Sequence, residues 1–159
     1  MSVGNPEGMG VAQAVARLRE VLDGALPKLL ALDEPRAARR PREMEWSRKE
    51  LLGHLIDSAG NNHQRFVRGQ LQPKMTFPPY AQDEWVAVQG YAERPWPELV
   101  ALWRAFNEHL LHVAGRIPQA KLRHVCGVSA DEPSTLEDHV VDYVLHLEHH
   151  LGQILEVDG

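Results

Sequence analysis

Residues 143–154 read YVLHLEHHLGQI and place His146 and His150 four residues apart in a strongly apolar segment. On a helix, side chains at this spacing lie on one face, one turn from each other. Two imidazoles in that arrangement can reach a single point, as the histidines of a helical H-E-x-x-H zinc site do. Because a helical pair supplies only two ligands, a third must come from elsewhere, and His54 is the best candidate.

His54 lies in a second stretch with strong helix signals. Ser47 is the predicted N-cap, and Glu50 three residues later completes a capping box. Apolar residues form one arc of this helix. The polar residues fall together on the other side, at about 100° per residue: His54, Asp57, Ser58, Asn61 and Arg65.

Three further segments repeat the helical spacing of apolar residues. They cover residues 11–32, 97–116 and a stretch from Ser134 nearly to the end of the chain. Pro27 is predicted to kink or split the first of them, and Ser134 with Glu137 is predicted to cap the last. With four long helical patterns and no convincing strand, the fold class is an all-α four-helix bundle, whose core is a usual place for metal sites. We expect residues 1–9 to form a flexible tail and residues 10–159 a single domain.

The connection at residues 71–95 is rich in proline and aromatic residues and includes Tyr80 and Trp85. Long connections between helices are more often functional than idle. A short helix is predicted at residues 82–89. The aromatic side chains either wall the site or anchor the loop on the bundle, and the sequence does not place the segment relative to the histidines.

Composition excludes several functional classes. The chain has 159 residues, a hydrophobic fraction of 43% and a net charge of −5, which argues against a nucleic-acid-binding surface. No apolar run approaches the roughly 18 residues of a membrane span, and the N-terminus lacks a signal-peptide pattern. Cys126 is the only cysteine, which favours a reducing compartment. We therefore expect a cytoplasmic protein.

The three histidines have two interpretations. They are either metal ligands at the mouth of a bundle or ordinary amphipathic residues at the edge of a core. If they are ligands, polar neighbours can orient them from behind. Asp57 lies one turn from His54, Gln153 lies one turn past His150, and Asn61 continues the polar side of the His54 helix. The alternative for each of these three residues is a solvated position on a helix surface.

Two motifs resemble those of a known family. Residues 46–58 fill the pattern W-S-x-x-E-x-L-x-H-L-x-D-S, and residues 146–154 fill H-x-x-H-H-x-G-Q-I. They are similar to the second-helix and fourth-helix motifs of the DinB-like metalloprotein superfamily. Helix order and chain length agree as well, so the resemblance covers almost the whole chain after the tail.

The resemblance implies a DinB-like four-helix bundle in which His54, His146 and His150 bind one divalent metal ion. Zinc or nickel is expected, and iron is also compatible with imidazole ligands. The resemblance also implies a homodimer. Characterised relatives include thiol S-transferases that use bacillithiol or mycothiol, and a domain of ergothioneine-synthesis enzymes.

The predicted function is therefore metal-dependent chemistry on a small-molecule substrate. Its most concrete form is thiol S-transfer with a low-molecular-weight thiol. The alternatives are a metal-dependent hydrolase of the same fold and a non-catalytic, stress-related protein that binds a metal or small ligand. No membrane or nucleic-acid partner is expected.

Overall fold

The computed structural model describes residues 8–128 and 133–156 and confirms the predicted all-α four-helix bundle. Within these ranges, four long helices form the body and two short helices lie in the connections. In chain order the helices are α1 (Val11–Leu30), α2 (Glu34–Ala38), α3 (Arg48–Leu71), α4 (Gln82–Gln89), α5 (Trp96–Gly115) and α6 (Leu136–Leu155). None of the helices in the described ranges combines the length and apolar character needed to cross a bilayer.

The long helices do not follow one another around the bundle. Helix α3 packs against α5 and α6, and α1 packs against the same two helices. Consecutive long helices α1 and α3 therefore lie at opposite corners, and the connection that contains α2 carries the chain across. The core between them is filled by large apolar side chains: Trp96, Trp103, Phe66, Leu29, Leu52, Leu55, Leu99, Leu110, Leu147 and Ile154.

Helix α1 runs through Pro27 without a break, so the predicted split is wrong. Pro27 lies in the last turn, where its missing N–H removes only one hydrogen bond, and its carbonyl still accepts from the Ala31 N–H at 3.1 Å. Residues 1–7 of the predicted tail lie outside the described residues. Met9, at its end, is buried against the core.

The predicted cap of α3 is confirmed. The Ser47 hydroxyl accepts from the Glu50 N–H at 3.2 Å, and the Glu50 carboxylate accepts from the Ser47 N–H at 3.1 Å. The predicted cap of α6 is wrong by one residue, because Thr135 and Asp138 form the reciprocal pair instead of Ser134 and Glu137. Both candidate pairs satisfy the pattern, and the sequence alone does not choose between them.

A small parallel sheet joins the connections after α3 and before α6. Strand β1 (Lys74–Thr76) pairs with β2 (Val125–Gly127), with Met75 opposite Cys126. The sheet places the buried Cys126 over the C-terminal end of α3, where its sulfur lies near Gly69. These three-residue strands were not predicted, because their pairing depends on contacts about 50 residues apart and not on a local pattern.

Arg48, the first residue of α3, ties this helix to the end of α6. Its guanidinium donates to the Ile154 carbonyl at 2.7 Å and to the Glu156 carbonyl at 3.1 Å. The last carbonyls of a helix have no partner within the helix, and a cation there is also favoured by the helix dipole. This contact holds the start of α3 beside the end of α6.

Gly53 allows the connection after α3 to lie directly on the helix. A Cβ at this position would stand 2.2 Å from Cδ2 of Tyr91, a buried residue in the turn that follows α4. Real Cβ contacts do not approach this closely. Any side chain at position 53 must therefore displace the Tyr91 ring.

We expect Gly53→Ala to destabilise the fold by roughly 1–3 kcal/mol, the usual cost of overpacking a buried site. The matched control is Gly24→Ala in α1, where an added Cβ meets nothing within 4 Å. That change should instead stabilise the helix by roughly 0.5–1 kcal/mol. Urea unfolding of both variants measures the difference, and equal effects would contradict the packing argument.

Candidate metal centre

His54 is almost fully buried on α3, with 1% of its surface exposed. The ring of Trp46, which precedes the helix cap, lies 5.1 Å from the His54 ring at an angle of 36°. Because the capping box fixes the first turn of α3, Trp46 and His54 have a defined relative position. The helix start thus orients the imidazole toward α6.

The rings of His54, His146 and His150 form one cluster across the α3–α6 interface. The His54 centroid lies 5.7 Å from that of His146 and 5.0 Å from that of His150, and the two α6 rings are 4.4 Å apart. One ring nitrogen from each residue lies within 4.8 Å of the other two. It is the only such group of three His, Cys, Asp or Glu donors within residues 8–128 and 133–156.

Hydrogen bonds define the tautomer of His150. Its Nδ1 lies 2.8 Å from Oε1 of Gln153, an acceptor, so this nitrogen carries the proton. The other nitrogen, Nε2, then presents a lone pair and lies 3.1 Å from Nε2 of His146. Nδ1 of His54 is buried without a hydrogen-bond partner. A buried ring nitrogen without a partner lowers the stability of the folded protein. The cluster therefore contains a nitrogen that is free to bind a further group.

Burial keeps the three imidazoles neutral. Burial is the largest cause that lowers the pKa of His54 to about 4, and the charge of His150 adds to it. Burial likewise lowers the pKa of His146 to about 4, assisted by His150 and His54. The pKa of His150 is also lowered, again chiefly by burial. At neutral pH all three residues are thus in the form that binds metal ions.

The three predicted orienting residues have different environments. Gln153 contacts the cluster through the bond to His150. Asp57 accepts instead from the Tyr91 hydroxyl and from Gln89 Nε2, both at 2.7 Å. Asn61 donates to the Asp57 backbone carbonyl at 2.9 Å. Within the described ranges, neither Asp57 nor Asn61 forms a hydrogen bond to a histidine of the cluster.

The structure places the connection at residues 71–95 along the polar side of α3. Tyr91 and Gln89 bind Asp57, and the charge of Asp83 opposes, without reversing, the lowering of the His54 pKa by burial. Sequence reasoning missed Tyr91 and Gln89 as partners of Asp57. The available signal was Gly53, a glycine inside a helix one turn before Asp57, which marks a close approach of other chain atoms.

Two other residues near the motifs are outside the cluster. His149 is exposed, and its ring lies 5.3 Å from that of His150 on the outer side of α6. Cys126 is fully buried, and burial raises the pKa of its thiol to about 11. A thiol in this state is a poor nucleophile, and this cysteine serves as a packing residue.

A family model for the DinB superfamily matches residues 11–154. The chain belongs to the DinB superfamily. This confirms the resemblance of the two motifs, and the matched range includes every helix of the bundle except the last residue of α6.

Two relatives match most of this chain at low sequence identity. A protein from Oceanobacillus iheyensis named "Putative metal-dependent hydrolase" is 23% identical over 124 residues, which cover 78% of this chain and 71% of the relative. A protein of the same name from Halalkalibacterium halodurans is 22% identical over 125 residues, covering 79% and 72%.

A solved structure shares the fold. YfiT from Bacillus subtilis is described as "a probable metal-dependent hydrolase with an unusual four-helix bundle topology". It superimposes with a TM-score of 0.80 at 19% identity, covering 96% of this chain and 90% of YfiT. At this identity the likeness is evidence for the fold.

We expect metal-free protein to lose stability as the pH falls from 6.5 toward 4. The folded-state pKa of His54, about 4, lies below its ordinary value of 6.5, so the unfolded chain takes up the proton first and is favoured in acid. His54 alone should contribute about 3 kcal/mol across this interval. Urea unfolding of chelator-treated protein at pH 7, 6 and 5 measures the slope.

His54→Gln should reduce this pH slope, whereas His112→Gln, which changes an exposed histidine of α5, should leave it unchanged. Protonation of carboxylates elsewhere affects all three proteins equally. The same slope in the parent and in His54→Gln would show that the buried imidazole does not cause the acid sensitivity.

Proposed function

We propose that this chain is a metal-dependent enzyme acting on a small-molecule substrate, with one divalent ion held by His54, His146 and His150. The observation that carries the proposal is the cluster itself, with three neutral imidazoles whose donor atoms lie within 4.8 Å of one another. The orphaned Nδ1 of His54 and the absence of a carboxylate from this donor set fit a metal that accepts nitrogen ligands. Imidazole donors favour zinc or nickel and also accept iron.

Three protein ligands leave coordination positions open, as in catalytic zinc sites. Bound there, a divalent ion would act as a Lewis acid and favour the deprotonated form of a water or thiol nucleophile. The surrounding residues orient and cover the ligands. Gln153 holds the proton of His150 on Nδ1, so that Nε2 faces the cluster, and Trp46 covers His54 on one side.

The reaction class that we favour is hydrolysis, because the relatives from Oceanobacillus and Halalkalibacterium and the structural neighbour YfiT are all named as metal-dependent hydrolases. Thiol S-transfer is the second candidate. It needs the same neutral donor set, which leaves the full charge of the ion available to hold a thiolate. Cys126 is buried and protonated, so the thiol in such a reaction would be a second small molecule.

No side chain of the cluster is placed to act as a general base. Asp57, a buried carboxyl one turn from His54, accepts two hydrogen bonds on one oxygen and has a second, unpartnered oxygen, but it forms no hydrogen bond to the cluster. Activation of the nucleophile is therefore assigned to the metal centre. A homodimer and a cytoplasmic location remain predictions from the sequence.

Metal content tests the site directly. Mass spectrometry of untagged protein should find about one zinc or nickel ion per chain. His54→Ala and His150→Ala should remove it, because two imidazoles bind far more weakly than three. His149→Ala is the matched control, since this exposed ring neighbours His150 but lies outside the cluster. Folded parent protein that stays metal-free after incubation with both ions would contradict the proposal.

Gln153→Ala should weaken metal binding about 10- to 100-fold, the usual effect of losing a residue that orients a ligand. Competition with a chromogenic chelator at pH 7 measures the affinity. Unchanged affinity would show that the bond between Gln153 and His150 does not orient the imidazole.

Turnover of the zinc- and nickel-loaded protein distinguishes the reaction classes. Esters, amides, epoxides and haloalkanes would be supplied with and without a low-molecular-weight thiol. Product formation without thiol is expected for a hydrolase, and product formation only with thiol would favour the transferase. Metal-dependent thermal stability without turnover on any substrate would instead favour the non-catalytic alternative.

A further inference from the structure

Arg65 of α3 is half-buried, and its guanidinium forms no ion pair among the described residues. Burial lowers its pKa, and the groups that act on it electrostatically are Tyr80 and Cys126. Burial raises the pKa of Tyr80 to about 12 and of Cys126 to about 11, so both are neutral at pH 7. A partly desolvated cation without an acidic partner lowers the stability of the free protein.

This charge lies on the same face of α3 as the metal centre. Arg65 follows His54 by 11 residues, which is three helical turns and roughly 16 Å along the axis. Across the interface, the charge of Arg65 acts on His139, which precedes His146 by two turns on α6. The two helices thus run in opposite directions along this face, with the three histidines toward one end and Arg65 toward the other.

The connection at residues 71–95 contributes groups near both Arg65 and His54. Tyr80 interacts electrostatically with both Asp57 and Arg65, and Asp83 acts on His54. Asp57 lies between His54 and Arg65 on α3; one oxygen of its carboxyl accepts from Tyr91 and Gln89, and the other is buried without a partner. No acidic group of the described residues lies within ion-pair distance of Arg65.

We propose that Arg65 binds an anionic group, a carboxylate or a phosphate, of the substrate whose reacting end lies at the three histidines. This inference rests on the proposed function and narrows the substrate class to elongated, negatively charged small molecules. The guanidinium fork suits both anions, because it donates two parallel hydrogen bonds. The anionic group and the reacting atom would be separated by roughly 16 Å along the helix axis, which is the rise between the two residues.

Binding of methylphosphonate and acetate, two anions with low affinity for zinc, tests this subsite. The readout is the thermal midpoint at pH 7 and at constant ionic strength set with chloride. An anion at ten times its Kd should raise the midpoint by about 3 to 5 °C through mass action. The larger response identifies whether the subsite prefers phosphate or carboxylate.

Arg65→Gln should abolish the response, and Arg65→Lys, which keeps the charge but loses the fork, should retain only part of it. Arg104→Gln changes an exposed arginine of α5 and should keep the full response. Without added anion, Arg65→Gln should be as stable as the parent or more stable, since no ion pair is lost. A structural arginine would instead destabilise the fold when replaced.

The experiment is repeated with His150→Ala, which removes a proposed metal ligand. The anion response should persist there, so this test remains readable even if the metal centre fails its own test. Equal responses in the parent and Arg65→Gln, or no response in the parent, would overturn the inference. So would a response that His150→Ala abolishes and Arg65→Gln retains, because the anion would then bind at the histidines.

Discussion

The close approach of three neutral imidazoles across the α3–α6 interface is the constraint on which this structure depends. Protonation of one ring opposes protonation of the next, and burial opposes all of them. Such a cluster forms only if the two helices are held at one relative shift. Arg48 supplies that restraint, because it binds the free carbonyls at the end of α6, one turn and more beyond His150. The capping box of Ser47 and Glu50 fixes the position of Arg48 itself.

Two residues of helix α3 position the connection that follows it. Gly53 admits the Tyr91 ring against the helix, and Asp57 binds the hydroxyl of the same tyrosine. Together they hold the connection at residues 71–95 beside His54. An acidic group one turn from a proposed metal ligand therefore anchors this connection to α3. Its pKa is raised, chiefly by burial, and the bonds from Tyr91 and Gln89 act in the opposite direction.

Local patterns predicted the parts of the molecule that depend on local physics. Helical spacing of apolar residues located the four long helices, and the Ser47 cap was correct because only one capping pair fits there. The α6 cap was placed one residue early, since Thr135 and Asp138 offer an equally good pair. The β1–β2 pairing and the bond from Tyr91 to Asp57 were missed, because each joins residues that are distant in the sequence.

The same distinction applies to the candidate site. The spacing of His146 and His150 predicted their contact, and Gln153 reaches His150 because it lies one turn further along the same helix. Asp57 was expected behind a ligand, since helical periodicity gives its direction but not what packs against it. In the sequence, Arg65 is one of the polar residues on the His54 side of its helix. Its significance comes from what surrounds it in three dimensions, namely neutral Tyr80 and Cys126 in place of an acid. An arginine without an acidic partner, three helical turns from a neutral donor cluster, is a property of the folded chain, because it depends on residues that approach Arg65 from outside its own helix.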